Sequence, residues 1–151
     1  MPSPDPEELR RILTAANTIA VVGASSNPER ASHGIMKRLQ ALGYRVIPVN
    51  PVETEVLGEK SYPSLADKSY PSLAEVPVPI DIVDVFRRCE EAPSIADDAV
   101  RIGAKTLWLQ LGIVNEEAAS RARAGGLTVV MDRCIGQTLL ELGITKRRES
   151  S

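Results

Sequence analysis

At 151 residues, with 43% hydrophobic content and a formal net charge of −2, the chain is long enough for one domain with a sizeable core and too short for two ordinary ones. The absence of a broad basic run and the scattered single aromatic residues argue against nucleic acid as a partner, and no apolar stretch reaches the length of about 18 residues that a membrane span needs. The acidic, proline-rich start MPSPDPEELRR lacks the apolar core of a signal peptide, and Cys89 and Cys134 have no metal-ligand spacing, so a cytoplasmic protein with reduced thiols and no metal is expected.

Asp5, followed by Pro6, Glu7 and Glu8, predicts a helix start, with the helix ending near Ala15. Ile19, Ala20, Val21 and Val22 then form an apolar run of strand length, as a parallel strand buried on both faces requires. Gly23 lets the backbone turn tightly where a side chain would meet a ligand. The side chains from Ala24 through Ser25 and Ser26 to Asn27 stay small, so successive backbone N–H groups can approach an anion, and Arg30 can add charge. The following helix, with Ile35, Met36, Leu39 and Leu42 on one face and Gly43 as its stop, would present its positive end to the same turn. Phosphate is the natural ligand of this construction.

A second strand is expected over 44–49, ending in Pro48, Val49, Asn50 and Pro51. The segment KSYPSLA at 60–66 recurs unchanged at 68–74. A single tandem copy is too short for a solenoid, so 60–74 reads as a loop insertion in which one copy packs and the other faces solvent. The run IDIVDVF at 80–86 predicts the third strand, and Pro93 opens a helix carrying Ile95, Ala99, Val100 and Ile102 that closes at Gly103. Residues 106–109 form the next strand, Asn115 caps a helix through about Ala124, and Gly125 and Gly126 end it. A last strand over 127–131 and a final helix over 135–142 complete the series, and the tail at 145–151 is expected to fray. The alternation implies an α/β fold: a Rossmann-like, doubly wound, mainly parallel sheet in a single domain over 1–144.

A Rossmann dehydrogenase would carry Gly-x-Gly-x-x-Gly in the first turn and an acid at the end of the second strand. Here Ala24 and Ser25 follow Gly23 without further glycines in register, Asn50 and Pro51 end the strand, and Glu53 lies beyond the proline. An NAD(P)-dependent oxidoreductase is therefore an alternative that these residues disfavour.

Taken together, GASSNPERASHGIMKRL, GYRVIPVNP with its later Leu57-Gly58, YPSL, IDIVDVFRRCEEAP, IGAKTLWLQLGIVNEEAA and GLTVVMDRC resemble the stand-alone CoA-binding proteins of bacteria and archaea, which are related to the CoA-binding domain of the succinyl-CoA synthetase alpha subunit. The resemblance runs from about Leu9 to Cys134 and implies a Rossmann-like fold holding coenzyme A or acyl-CoA across the carboxyl ends of its strands. It implies that Gly23, Ala24, Ser25 and Ser26 hold the CoA phosphates, with Asn27, Arg30 and Ser32 completing the anion site. Asn50 and Pro51 would border the nucleotide, Phe86 and Arg87 would reach adenine or phosphate, and Leu109, Gln110, Leu111 and Gly112 would line the cofactor. Cys134 would stand near the CoA thiol, able to form a mixed disulfide under oxidation. The synthetases use a phosphorylated histidine outside this domain, whereas the one histidine here, His33, stands in another segment, so binding without catalysis is expected. A CoA-binding subunit of an acyl-CoA ligase that needs a partner chain is the other alternative.

Some residues have plainer roles. Trp108 is expected in the core, His33 as a partly exposed helix residue, Arg88 as a solvated charge, and Asp132 and Arg133 as paired with each other or with solvent.

Overall fold

Short apolar runs separated by capped helices leave the chain one economical arrangement, a parallel sheet with helices on its two faces. The computed structural model describes residues 4–50, 55–61 and 79–144, and the elements follow in chain order. They are α1 (Pro6–Ala15), β1 (Thr18–Val22), α2 (Ala31–Ala41), β2 (Arg45–Val49), β3 (Glu55–Val56), β4 (Glu59–Lys60), β5 (Ile82–Val85), a 3-10 turn (Cys89–Glu91), α3 (Ala92–Arg101), β6 (Thr106–Leu109), α4 (Glu116–Ala124), β7 (Thr128–Val130) and α5 (Ile135–Glu141). Five strands form one parallel sheet in the order β2-β1-β5-β6-β7. This is the doubly wound α/β fold, and the order reverses direction between β1 and β5.

Alternation along each strand divides the core into two layers. Ala20, Val22, Val83, Val85, Leu107 and Leu109 pack with the alanine faces of α3 and α4, while Ile19, Val21, Ile82 and Trp108 pack with α1, α2 and α5. Small residues set the helix spacing: a Cβ on Gly125 would come within 2.6 Å of both Val100 methyls, and one on Gly136 would sit 2.7 Å from Ile35 Cδ1. Trp108 is fully buried as expected, and its indole N–H donates to the Arg133 carbonyl at 2.8 Å. The helix starts also follow their sequence signals. The Asp5 carboxylate accepts from Glu8 N at 2.8 Å and the Asn115 carbonyl oxygen accepts from Ala118 N at 2.8 Å, each cap contributing about 1 kcal/mol.

The structure departs from the sequence expectations at several points. Helix α2 begins at Ala31, a turn before the apolar face at Ile35, so Ser32 lies in its first turn and is buried. Two-residue strands β3 and β4 form an antiparallel hairpin that was not expected; Leu57 (φ 49°) and Gly58 (φ 84°) turn it, and Val56 tucks into the core. Asp132 and Arg133 do not pair with each other, because Asp132 adopts φ 57° and aims its carboxylate at Gly112 N, 2.7 Å away. Pro51, Glu53, most of the duplicated 60–74 segment and the tail at 145–151 lie outside the described residues. Among the described residues, no helix is long and apolar enough to cross a membrane.

One core residue has no counterpart among the sequence expectations. Asp84, in register with Val21 and Trp108 in the middle of the sheet, is fully buried, and neither carboxylate oxygen has a hydrogen-bond partner. Burial pushes its proton affinity well above the ordinary carboxyl range.

Candidate functional site

The carboxyl ends of the strands converge where the strand order reverses, the position at which open α/β sheets hold ligands. Gly23 continues β1, its N–H donating to the Val49 carbonyl at 2.8 Å, and Phe86 N donates to the Val22 carbonyl at 2.8 Å. The first bond ties the β1 turn to β2, and the second brings the β1 and β5 turns into direct contact. A Cβ on Gly23 would sit 2.7 Å from the Phe86 carbonyl oxygen, and φ is +95°, so glycine alone fits the turn without strain.

Two chambers open above this contact. The first, about 450 Å³, is lined by Gly23, Ser25, Arg30, Ala31, Ser32, Asn50, Phe86 and Arg87. Its polar groups are two guanidiniums, two hydroxyls and an amide, with no carboxylate in the lining. The second, about 700 Å³ and more apolar, has Gly34, Ile35 and Arg38 on one side and Gln110, Leu111, Ile113 and Cys134 on the other. Ala31, Phe86 and Arg87 line both chambers, so the two are continuous.

Local bonding explains how the walls are held. The Asn50 amide donates to the Ala24 carbonyl at 2.7 Å, tying the β2 end to the β1 turn. Arg87 is braced by Glu91, with Nε 2.9 Å and Nη2 2.9 Å from Oε1, and both side chains are about one-third exposed. Arg88 reaches the same carboxylate at 3.7 Å and is 83% exposed, the solvated charge that was expected, at the rim of the second chamber. No carboxylate among the described residues pairs with Arg30 or Arg38. Gln110 is buried, and its carbonyl oxygen accepts from Ile135 N at 3.0 Å, fixing the start of α5 beside Cys134.

The structure thus brings Gly23, Ser25, Arg30, Ser32, Asn50, Phe86 and Arg87 to one chamber, and Gln110, Leu111 and Cys134 join Phe86 and Arg87 at the other. The remaining candidates stand elsewhere. Ala24 is buried and contributes its carbonyl to the Asn50 tie; Ser26 and Asn27 are exposed. The Asn27 side chain accepts from Glu29 N at 3.0 Å, and its own N–H donates to Ser25 Oγ at 3.0 Å, so these groups shape the turn internally. Leu109 differs from expectation because strand alternation points it into the α3/α4 core. Gly112 is exposed, with its N–H taken by Asp132.

Sequence reasoning missed Ala31, Gly34, Ile35 and Arg38 as a wall of the second chamber. Their i, i+3, i+4, i+7 spacing forms one helix stripe; Ile35 packs against the core as the sequence predicts and also lines the chamber. No group of His, Cys, Asp and Glu able to hold a metal ion occurs among the described residues.

The family model described as a CoA binding domain matches residues 17–139. The chain belongs to the CoA-binding domain family. A curated relative, the uncharacterized protein YneT of Bacillus subtilis (strain 168), is 44% identical over 135 residues, covering 89% of this chain and 94% of its own. A solved hypothetical protein from Pyrococcus horikoshii OT3 is similar at 39% identity with a TM-score of 0.85, covering 92% of both chains. The dinucleotide forming acetyl-coenzyme A synthetase 1 of Ca. Korarchaeum cryptofilum, solved with phosphate and ADP, matches at 26% identity and TM-score 0.68, over 82% of this chain and 27% of that one. For a CoA-binding domain the donor set is apt: a chamber of cations and hydroxyls without carboxylates suits phosphates, and the adjoining apolar cleft suits a neutral arm.

Proposed function

We propose that the protein binds coenzyme A or an acyl-CoA across the carboxyl edge of its sheet and has no catalytic activity of its own. The observation that carries this reading is the continuity of an anion-suited chamber with an apolar cleft through Ala31, Phe86 and Arg87. The phosphates would lie in the first chamber, against the Gly23 turn, Ser25, Ser32, Arg30 and the N-terminal end of α2, where unpaired backbone N–H groups and the helix dipole favour negative charge. Phe86 and Arg87 would stand between the nucleotide and the pantetheine arm, and the arm would run along α2 toward Gln110 and the Cys134 thiol. When bound, CoA supplies the thiol; the protein's residues bind and orient it.

Two observations favour binding over the alternatives. Asn50, at the end of β2, turns its amide to the Ala24 carbonyl and offers no carboxylate to a ribose, which speaks against an NAD(P) enzyme. His33, the chain's one histidine, lines neither chamber, which speaks against a histidine-based ligase reaction at this site. Thermal unfolding with CoA, acetyl-CoA, NAD and NADP tests the reading. A ligand at a hundred times its Kd stabilises the folded state by about 2.7 kcal/mol, so CoA should raise Tm clearly. Stabilisation by NAD or NADP alone would overturn it.

A further inference from the structure

A third cavity, about 390 Å³, continues the cleft past the Cys134 thiol. It shares Leu111 and Cys134 with the second chamber, so a ligand whose thiol lies beside Cys134 has its next atoms directed into this space. We propose that this cavity is the chamber for the acyl group of a bound acyl-CoA and that it takes an uncharged acyl group, an inference that rests on the CoA-binding function proposed above.

The lining supports both parts. Leu111, 70% exposed, stands at the junction of the two spaces as an apolar wall that an acyl chain would cover. The floor is α5, where Gln137 and Thr138 face the space. Thr138 is buried, with its hydroxyl donating to the Cys134 carbonyl at 2.8 Å, which fixes the backbone that carries the thiol. The charged groups are Asp132, Arg133 and Glu141. Arg133 already faces Glu141 at 3.8 Å, and Asp132 is held by Gly112 N at 2.7 Å, so two carboxylates outnumber the one guanidinium. An acyl group ending in a carboxylate would meet like charge there, whereas a neutral chain would not.

Isothermal calorimetry on the full chain and on Gln137→Trp, with CoA, butyryl-CoA and succinyl-CoA, tests the assignment. Gln137 is an exposed helix residue whose side chain meets Glu141 at 3.5 Å and lines neither CoA chamber, so an indole there is directed at the third cavity alone. Butyryl-CoA should bind the unmodified chain at least several-fold tighter than CoA, and succinyl-CoA should gain nothing over CoA. In Gln137→Trp the advantage of butyryl-CoA should disappear while CoA affinity holds. Equal binding of all three ligands, unaffected by the substitution, would overturn the acyl chamber and leave CoA binding standing; tighter succinyl-CoA would overturn its neutrality. Failure of CoA and both thioesters to bind would instead overturn the proposed function, and the chamber with it.

Discussion

Replacing Asp84 with valine should stabilise the protein, by an amount that grows with pH. Asp84 sits in the central strand with both carboxylate oxygens buried and without partners. Leaving a buried polar group unpaired costs about 1–3 kcal/mol even when it is neutral, and valine removes that cost while filling a strand position with a β-branched apolar side chain. The sign of the pH effect follows from burial, which raises the carboxyl's proton affinity in the folded state above that in the unfolded chain. The folded state therefore holds the proton more tightly, and Asp84 is least costly below the ordinary carboxyl value of about 3.9. As pH rises from there toward the folded value, the cost of keeping the proton grows by up to about 1.4 kcal/mol per pH unit. Asp84→Val has no such slope. Urea denaturation at pH 5, 6 and 7 should show the variant more stable throughout, with a widening gap. Asp84→Asn, which keeps the polar group but cannot titrate, should flatten the slope without reaching the valine variant. A valine variant less stable than the parent, or a gap that is constant with pH, would refute the reasoning.

Two substitutions test the architecture around the site. Gly23→Ala forces a side chain into φ +95° and 2.7 Å from the Phe86 carbonyl oxygen, so it should cost about 2–4 kcal/mol in urea denaturation, and CoA affinity should fall with it. Trp108→Phe keeps most of the apolar volume but leaves the Arg133 carbonyl without its 2.8 Å partner; a loss of about 1–2 kcal/mol by the same assay is expected.

Much of the fold was legible because its signals are local. Asp5 and Asn115 cap helices through their own side chains, the apolar runs at β1, β5 and β6 match strand length, and Gly103 and Gly126 end their segments with positive φ. The strand order and the two-layer core depend on pairings between distant segments, which a pattern along the chain does not specify. The same division applies to the candidate site. Gly23, Arg30 and Arg87 follow from turn chemistry at strand ends, but the α2 wall of the second chamber depends on how α2 rotates against α5 through Gly136. Asn27 reads from the sequence as a ligand contact, and the structure adds a second role that the sequence does not specify: its side-chain oxygen accepts from Glu29 N and its backbone N–H donates to Ser25 Oγ, so it shapes the turn. Asp84 could have been noticed as an acid inside an apolar strand, but only the packing establishes that it has no partner.

The affinity for CoA of the unmodified chain and of Arg30→Ala, measured by calorimetry alongside their unfolding midpoints, addresses the account most directly. Arg30 lines the first chamber and has no carboxylate partner among the described residues, so its loss should leave the fold intact. A hydrogen bond to a charged group is worth about 1.5–3 kcal/mol, so Kd for CoA should rise about ten- to a hundredfold at an unchanged midpoint. An unmodified chain that does not bind CoA, or an Arg30→Ala variant that binds it equally well, would contradict the placement of the CoA phosphates at the Gly23 turn.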